Sequence, residues 1–143
     1  MKIKDIMTPG VECVSPDDTI QEAARKMRDL DVGPMPVCDH DRLAGMITDR
    51  DITIRAVAEG RDPSSTKVRE VMTEGVVYCF EDEDLEAAAR TMQDQQIRRV
   101  LVLNRDKRLV GIVSLGDLAT ESGDKAKAGE VLQDVSEPSM PQR

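Results

Sequence analysis

The chain has 143 residues, with 28 acidic and 20 basic side chains and a formal net charge of −8. That length predicts about one compact unit, since domains usually contain about 100–200 residues. The acidic balance argues against an open nucleic-acid surface, which needs clustered cations, and the only two aromatic residues, Tyr78 and Phe80, are too few for a base-stacking platform.

The sequence carries no sign of a targeting or membrane segment. The N-terminal stretch MKIKDIMTPG is charged and lacks the apolar run of a signal peptide, and no window reaches the roughly 18 apolar residues of a membrane-spanning helix. The three cysteines, Cys13, Cys38 and Cys79, form no CxxC pair, and their odd number favours reduced thiols over a disulfide framework. We therefore expect a soluble, cytoplasmic protein that binds neither nucleic acid nor membranes.

An internal repeat runs through the chain at an offset of 65 residues, which becomes 66 after one residue is inserted in a turn. Ile3–Thr8 (IKDIMT) returns as Val68–Thr73 (VREVMT), and Gly45–Asp51 (GMITDRD) returns as Gly111–Asp117 (GIVSLGD). The repeat predicts two copies of one module. The expected boundaries are residues 1–60 and 68–122 for the two domains, 61–67 for the linker and 123–143 for a polar tail.

The first copy predicts five elements after its leading segment. A short strand ends near Val14, and acidic residues typical of a helix N-terminus follow it. Apolar residues at helical spacing predict a helix from Thr19 to Leu30. The short apolar stretches Met35–Cys38 and Leu43–Thr48 then predict a hairpin across a charged turn, and a second helix begins near Asp51.

The second copy predicts the same order. A strand ends near Cys79, and a helix follows it, with apolar positions from Leu85 to Met92. Arg99–Leu103 and Leu109–Ser114 predict the second hairpin, and the last helix begins near Asp117. The fold class is therefore α/β (α+β), with a strand–helix–strand–strand–helix unit present twice.

The residues after the second copy differ in character. From about Gly123 the sequence is small and polar, which is typical of a loosely held tail. One short helix is expected within it, around Glu130–Val135.

A motif that could bind a nucleotide closes the hairpin of each copy. It reads Gly-h-h-(Thr/Ser)-x-x-Asp, where h is apolar, and it presents Thr48 with Asp51 and Ser114 with Asp117. The hydroxyl can donate to a phosphate oxygen beside backbone N–H groups that favour anions, and the carboxylate can accept hydrogen bonds from a ribose diol. The alternative is a plain helix N-cap, but two copies in register favour the nucleotide interpretation.

These motifs, the IMT and VMT segments and the preceding strands resemble a tandem pair of CBS domains (the cystathionine-β-synthase module; a pair is a Bateman module). The similarity covers about residues 1–120. It implies two βαββα modules packed with pseudo-twofold symmetry and adenosyl ligands in the clefts between them. It also implies a regulatory sensor of AMP, ADP, ATP, NAD or S-adenosylmethionine that needs no cofactor, forms a homodimer and acts on an unknown target protein.

The resemblance also implies a role for each position of the motif. The Asp takes the ribose hydroxyls, the Ser or Thr assists phosphate binding, and segments of the first strand and the hairpin hold the adenine. For the Asp117 cleft, the adenine segments are Cys13, Val14 and Ser15 with Val32, Gly33, Pro34 and Met35. For the Asp51 cleft, they are Tyr78 to Phe80 with Ile97.

The two clefts are not expected to be equivalent. The second copy carries Arg98 and Arg99 where the first has Gly33 and Pro34, and arginine holds phosphate oxygens in a fork. The aromatic rings near the Asp51 cleft could stack on a base or fill the cleft. Our hypothesis is that the Asp117 cleft is the better nucleotide site.

Two other function classes remain open at this point. A ligand-free CBS pair could serve only as a dimerisation or interaction module, and an enzyme could use the nucleotide as substrate. No catalytic constellation is present, so we expect a protein that is not an enzyme. The three cysteines and His40 match no zinc signature, and no metal site is expected.

Overall fold

Helices and strands follow one another in the order that the repeat predicts, and the mixed α+β class is confirmed. The structure is a computed structural model that describes residues 1–121 and 123–138. Its elements are β1 (Thr8–Pro9), α1 (Ile20–Leu30), β2 (Pro34–Asp39), β3 (Arg42–Thr48), α2 (Asp49–Ile52), β4 (Tyr78–Phe80), α3 (Leu85–Gln95), β5 (Arg99–Leu103), β6 (Leu109–Ser114), α4 (Leu115–Glu121) and α5 (Lys125–Ser136).

The described residues divide into two units that differ from the sequence repeats. One unit is Glu12–Val76, and the other combines Met1–Val11 with the described residues from Val77 on. The leading segment Ile3–Thr8 thus packs with the second copy, where Ile3 N donates to Glu83 O at 2.9 Å. Val68 N likewise donates to Asp18 O at 2.8 Å in the first unit. The first part of one copy therefore completes the core of the other.

The unit Glu12–Val76 is built on the β2–β3 hairpin. His40 and Asp41 form its turn with positive φ angles of 50° and 69°, as the tight turns of antiparallel hairpins require. Helix α1 covers the hairpin, and its N-cap Thr19 forms a capping box with Glu22. The buried core consists of Val14, Ile20, Ala23, Met27, Met35, Val37, Ile47, Ala56, Val68 and Val71.

The other unit contains a four-stranded sheet in the order β1-β6-β5-β4. The β1–β6 and β5–β6 pairs are antiparallel, and the β4–β5 pair is parallel. The first unit keeps the same pattern with single bridges in place of the outer strands, at Val14–Val37 and Met46–Thr73. The buried core consists of Ile3, Ile6, Cys79, Ala88, Ala89, Met92, Val100, Val102, Val113, Leu118 and Val131.

The C-terminal segment differs most from the sequence-based expectation. Instead of a loosely held tail with a short helix, Lys125–Ser136 forms α5, which packs against α3 and α4. Val131 is fully buried in the core, and Gln93 Nε2 donates to Asp134 Oδ2 at 2.9 Å. The apolar residues of α5 pack against α3 and α4, and their burial stabilises the segment. Ser122 of the predicted second domain and residues 139–143 of the predicted tail lie outside the described residues.

Smaller differences concern element ends. The second helix of each copy begins two residues earlier than predicted, at Asp49 and at Leu115, because Thr48 and Ser114 serve as caps. The strand predicted near Val14 is a single bridge. Both predicted hairpins are present.

Candidate functional site

The motif hydroxyl and carboxylate meet at the start of the second helix in both units. Asp51 N donates to Thr48 Oγ1 at 3.0 Å, and Thr48 N donates to Asp51 Oδ2 at 3.1 Å. Asp117 N donates to Ser114 Oγ at 3.1 Å, and Ser114 N donates to Asp117 Oδ2 at 2.8 Å. Each pair is a capping box, so the capping alternative that the sequence left open is present at both sites. One carboxylate oxygen of each Asp is thereby used.

The remaining carboxylate oxygen distinguishes the two sites. Asp51 Oδ1 lies 3.8 Å from Arg55 Nε, and the Asp51 side chain is 15% exposed. Asp117 Oδ1 has no hydrogen-bond or ion-pair partner among residues 1–121 and 123–138. The residue that corresponds to Arg55 in the second copy is Glu121, which cannot form such a pair. Asp117 Oδ1 therefore keeps its acceptor capacity within the described residues, whereas Asp51 Oδ1 lies beside a cation.

Arg55 was not singled out from the sequence. Its Nη1 also donates to Val71 O and Met72 O, both at 3.3 Å, which fixes the guanidinium beside Asp51. The sequence did hold a signal for this contact. Arg55 lies four residues after Asp51 on a helical segment, and side chains at that spacing are neighbours.

Two arginines stand at the Ser114–Asp117 junction. Arg99 on β5 is the cross-strand partner of Ser114 on β6, and Leu115 N donates to Arg98 O at 2.8 Å. Both arginines are exposed, and neither guanidinium group pairs with another described residue. The structure thus brings four of the predicted nucleotide residues to one edge of the sheet.

The corresponding edge of the other unit carries the opposite charge. Pro34 is the cross-strand partner of Thr48, and Asp49 N donates to Gly33 O at 3.0 Å. The Asp49 carboxylate covers Gly33, since a Cβ built there would lie 3.2 Å from Asp49 Oδ1. Asp49 stands where the second copy has Leu115, so an anion at the Thr48–Asp51 junction would meet two carboxylates.

Of the two aromatic residues, Phe80 is engaged by a cation. The Arg105 guanidinium lies 4.2 Å from the centre of its ring, and an ion pair with Asp82 at 2.8 Å holds Arg105 there. The same contact lowers the pKa of the Asp82 carboxyl from its ordinary value. Tyr78 packs edge-on against Phe80 with 5.5 Å between ring centres. One face of Phe80 is therefore covered, while Tyr78 is exposed.

The predicted adenine segments combine buried and exposed residues. Val14 and Met35 are buried in the core of their unit, and Ile97 packs against the core of the other. Lys26 Nζ donates to Cys13 O at 3.1 Å, and Ser15 N donates to Asp18 Oδ2 at 2.9 Å. Val32 keeps an exposed side chain.

The described residues also bear on two other kinds of function. Within the part of the chain that the structure describes, no three or more His, Cys, Asp or Glu side chains form a group able to hold a metal ion. None of the described helices combines the length and the apolar character needed to cross a membrane.

Comparison with known proteins places this geometry in one family. The chain is 45% identical to the CBS domain-containing protein YhcV of Bacillus subtilis over 134 residues, which cover 94% of both chains. The crystal structure of Hypoxic Response Protein I, described with two coordinated zinc ions, superposes with a TM-score of 0.75 at 39% identity over 85% of this chain and 98% of that one. The CBS domain pair of protein MJ0100, in complex with 5′-methylthioadenosine and S-adenosyl-L-methionine, gives 0.69 at 30% identity over 86% and 96%.

A family model described as the CBS domain matches residues 3–57 and 68–124, one match for each copy of the repeat. The chain therefore belongs to the CBS domain family and contains two CBS domains.

Proposed function

We propose that this chain is a non-catalytic regulatory protein that binds an adenosine nucleotide of the AMP, ADP, ATP or NAD type. The observation that carries the proposal is the pair of exposed arginines beside Ser114 and Asp117, neither of which pairs with another described residue, in a chain of net charge −8. Guanidinium groups favour phosphate oxygens, with which they form charge-assisted hydrogen bonds. The adenosyl ligands of the MJ0100 domain pair support an adenosine compound as the ligand.

The same residues define how the ligand would sit. In this proposal Asp117 Oδ1 accepts from the ribose, and Arg98 and Arg99 bind the phosphate. The resemblance to CBS pairs implies Cys13–Ser15 and Val32–Met35 as the adenine segments. Since Val14 and Met35 are buried, we expect the base to meet mainly backbone groups of those segments. The Asp51 site, with Tyr78, Phe80 and Ile97 as its base segment, is the weaker one.

Signalling follows from linkage. A nucleotide shifts the protein toward the arrangement of the two domains that it binds more tightly. A target protein that recognises this arrangement would then respond to the nucleotide concentration.

Calorimetric titration with AMP tests the proposal on the wild type, Asp117→Ala and Asp51→Ala. Both substitutions remove the capping-box hydrogen bond from the N-cap backbone N–H, and Asp51→Ala also removes the ion pair with Arg55. We expect Asp117→Ala to weaken AMP binding by about tenfold or more and Asp51→Ala to leave it nearly unchanged. Equal losses would contradict the preference for Asp117, and no binding of AMP, ADP, ATP or NAD at millimolar concentration would contradict the function.

A second candidate is a dimerisation or interaction module that needs no ligand. The helical side of the Glu12–Val76 unit favours it, because Leu30, Ile54 and Val57 are exposed there. In the other unit, α5 covers the corresponding helices. Ala89 and Leu118 are buried, whereas their counterparts Ala24 and Ile52 are exposed and half-buried.

A further inference from the structure

Cys13 and Cys38, which are 25 positions apart in the sequence, lie side by side in the Glu12–Val76 unit. Val14 and Val37 form a parallel bridge. Val14 N donates to Pro36 O at 3.0 Å, and Cys38 N donates to Val14 O at 2.9 Å. The backbone next to each cysteine is therefore tied to the backbone next to the other.

The two cysteines differ in exposure. Cys13 is half-buried, and Cys38 is 5% exposed. Burial raises the pKa of the Cys38 thiol to about 12, and the charge of Cys13 and a side-chain hydrogen bond with it act in the same direction. The irregular register between Val37 and Cys38 lies at this point of the β2–β3 pair, and such irregularities redirect side chains.

The third cysteine provides an internal comparison. Cys79 is also buried, but it lies in the other unit, and its thiol partner is the Thr91 hydroxyl at 3.6 Å. Burial raises its pKa as well. Cys79 thus shares the environment of Cys38 without a second thiol beside it.

We propose that Cys13 and Cys38 form a reversible thiol–disulfide site that takes a hydroperoxide as oxidant and regulates the nucleotide site; the regulatory part rests on the function proposed above. Cys13 belongs to the segment Cys13–Ser15 that we expect to meet the adenine. A disulfide would fix its side chain against Cys38 and thereby change the surface offered to the base.

The chemistry balances with hydrogen peroxide as the oxidant. The more accessible Cys13 attacks the peroxide O–O bond as a thiolate; its sulfur is oxidised to sulfenic acid, and the other oxygen leaves as water. The Cys38 sulfur then attacks the Cys13 sulfur; its proton and the hydroxyl of the sulfenic acid leave as a second water. Because the sulfenic acid is neutral, the charge of a Cys13 thiolate no longer raises the pKa of Cys38, while burial and the charge of Asp41 still do. A dithiol reductant restores both thiols by thiol–disulfide exchange and is itself oxidised to a disulfide.

Intact-mass spectrometry after brief treatment with hydrogen peroxide tests the site, with the wild type, Cys13→Ala, Cys38→Ala and Cys79→Ala compared. We expect the loss of two hydrogen atoms in the wild type and in Cys79→Ala, reversed by dithiothreitol, and a single peptide cross-link joining Cys13 to Cys38. We expect no intramolecular cross-link in the other two variants. A cross-link to Cys79, or a wild type in which both thiols remain reduced or become over-oxidised, would overturn the proposal.

Titration of reduced and peroxide-treated wild type with AMP tests the regulation. We expect an affinity change of about tenfold or more on oxidation, absent from Cys38→Ala treated in the same way. Unchanged affinity with a formed disulfide would overturn the regulatory role alone. Failure of AMP and the other adenine nucleotides to bind the reduced protein would count against the proposed function, while the mass measurement would still decide the thiol site.

Discussion

At the scale of single residues, the two sites share their hydrogen bonds and differ in their charges. Ser114 and Asp117 form the same capping box as Thr48 and Asp51. Their charges differ because Arg98 and Arg99 stand where the first copy has Gly33 and Pro34, and Leu115 stands where it has Asp49. We therefore expect charge, rather than backbone geometry, to decide which junction binds a phosphate.

Replacing both arginines tests this argument. We expect Arg98→Gln with Arg99→Gln to weaken AMP binding by about tenfold or more, because each lost hydrogen bond between charged groups is worth about 1.5–3 kcal/mol. Adenosine, which has no phosphate, should bind the variant and the wild type alike. Calorimetric titration with both ligands measures the difference.

Arg90→Gln is the matched control for that experiment. Arg90 is an exposed arginine on α3 of the same unit, so its loss changes the net charge without touching the junction. A similar loss of AMP affinity in this control would mean that the arginines act through general electrostatic attraction. An equal weakening of adenosine and AMP would contradict phosphate binding by Arg98 and Arg99.

At the scale of elements, close packing against a neighbouring backbone explains why each motif begins with glycine. A Cβ at residue 45 on β3 would lie 2.6 Å from Thr73 O, and one at residue 111 on β6 would lie 2.9 Å from Thr8 O. The motif therefore begins with glycine because the backbone of the other copy's leading segment pairs closely with the strand there. Met46 and Thr73 exchange backbone hydrogen bonds at 2.9 and 2.8 Å in this pairing.

Gly45→Ala should consequently destabilise the protein. The clash is with backbone, which a side-chain rotation cannot relieve, and overpacking of this kind costs about 1–3 kcal/mol. Urea denaturation followed by circular dichroism measures the free energy of unfolding.

Substitution of a second glycine is expected to stabilise the protein instead. Gly129 lies within α5, and a Cβ there would meet nothing within 4 Å. Gly129→Ala should stabilise the helix by up to about 1 kcal/mol. If Gly45→Ala proved as stable as the wild type while Gly129→Ala behaved as expected, the close approach at Thr73 would not be a constraint.

Local sequence patterns predict the helices and strands better than they predict which segments pack together. Apolar spacing predicted α1 as Thr19 to Leu30, and the structure has Ile20–Leu30 with Thr19 as the cap. The packing of Ile3 and Val68 into the opposite copy was not predicted, because a segment's long-range partner leaves no periodic signal in its own sequence. Helix α5 was underestimated because its first turn is polar, although Ala128, Val131 and Val135 have helical spacing.

The candidate sites were predictable to a similar extent. Aligning the two copies of the repeat was enough to identify both motif pairs and the two arginines, since each is recognised by comparing the residues at corresponding positions. It did not find the contact between Arg55 and Asp51, because that contact depends on how the turn after Ile52 directs the side chain. Nor did it find that Arg105 covers Phe80, which requires the loops that carry Asp82 and Arg105 to meet.

At the scale of the whole molecule, α5 makes two similar domains unequal. Its apolar residues bury the outer side of α3 and α4, where Val131 and Leu118 are almost fully inaccessible. The helices of the Glu12–Val76 unit have no such cover within the described part of the chain. Ile54 is 45% exposed and Val57 is 61% exposed on the helical segment that continues α2.

This inequality leads to a prediction about assembly. Because removing apolar surface from water lowers the free energy, we expect a homodimer in which the two copies bury this segment. The double substitution Ile54→Asp with Val57→Asp should convert the dimer to a monomer. Light scattering after size exclusion measures the mass, and circular dichroism checks the fold. Leu132→Asp is the control, since Leu132 is 47% exposed on α5 of the other unit. Dissociation in the control instead of the double variant would place the contact on α5, and a monomeric wild type would exclude the interaction module without affecting nucleotide binding.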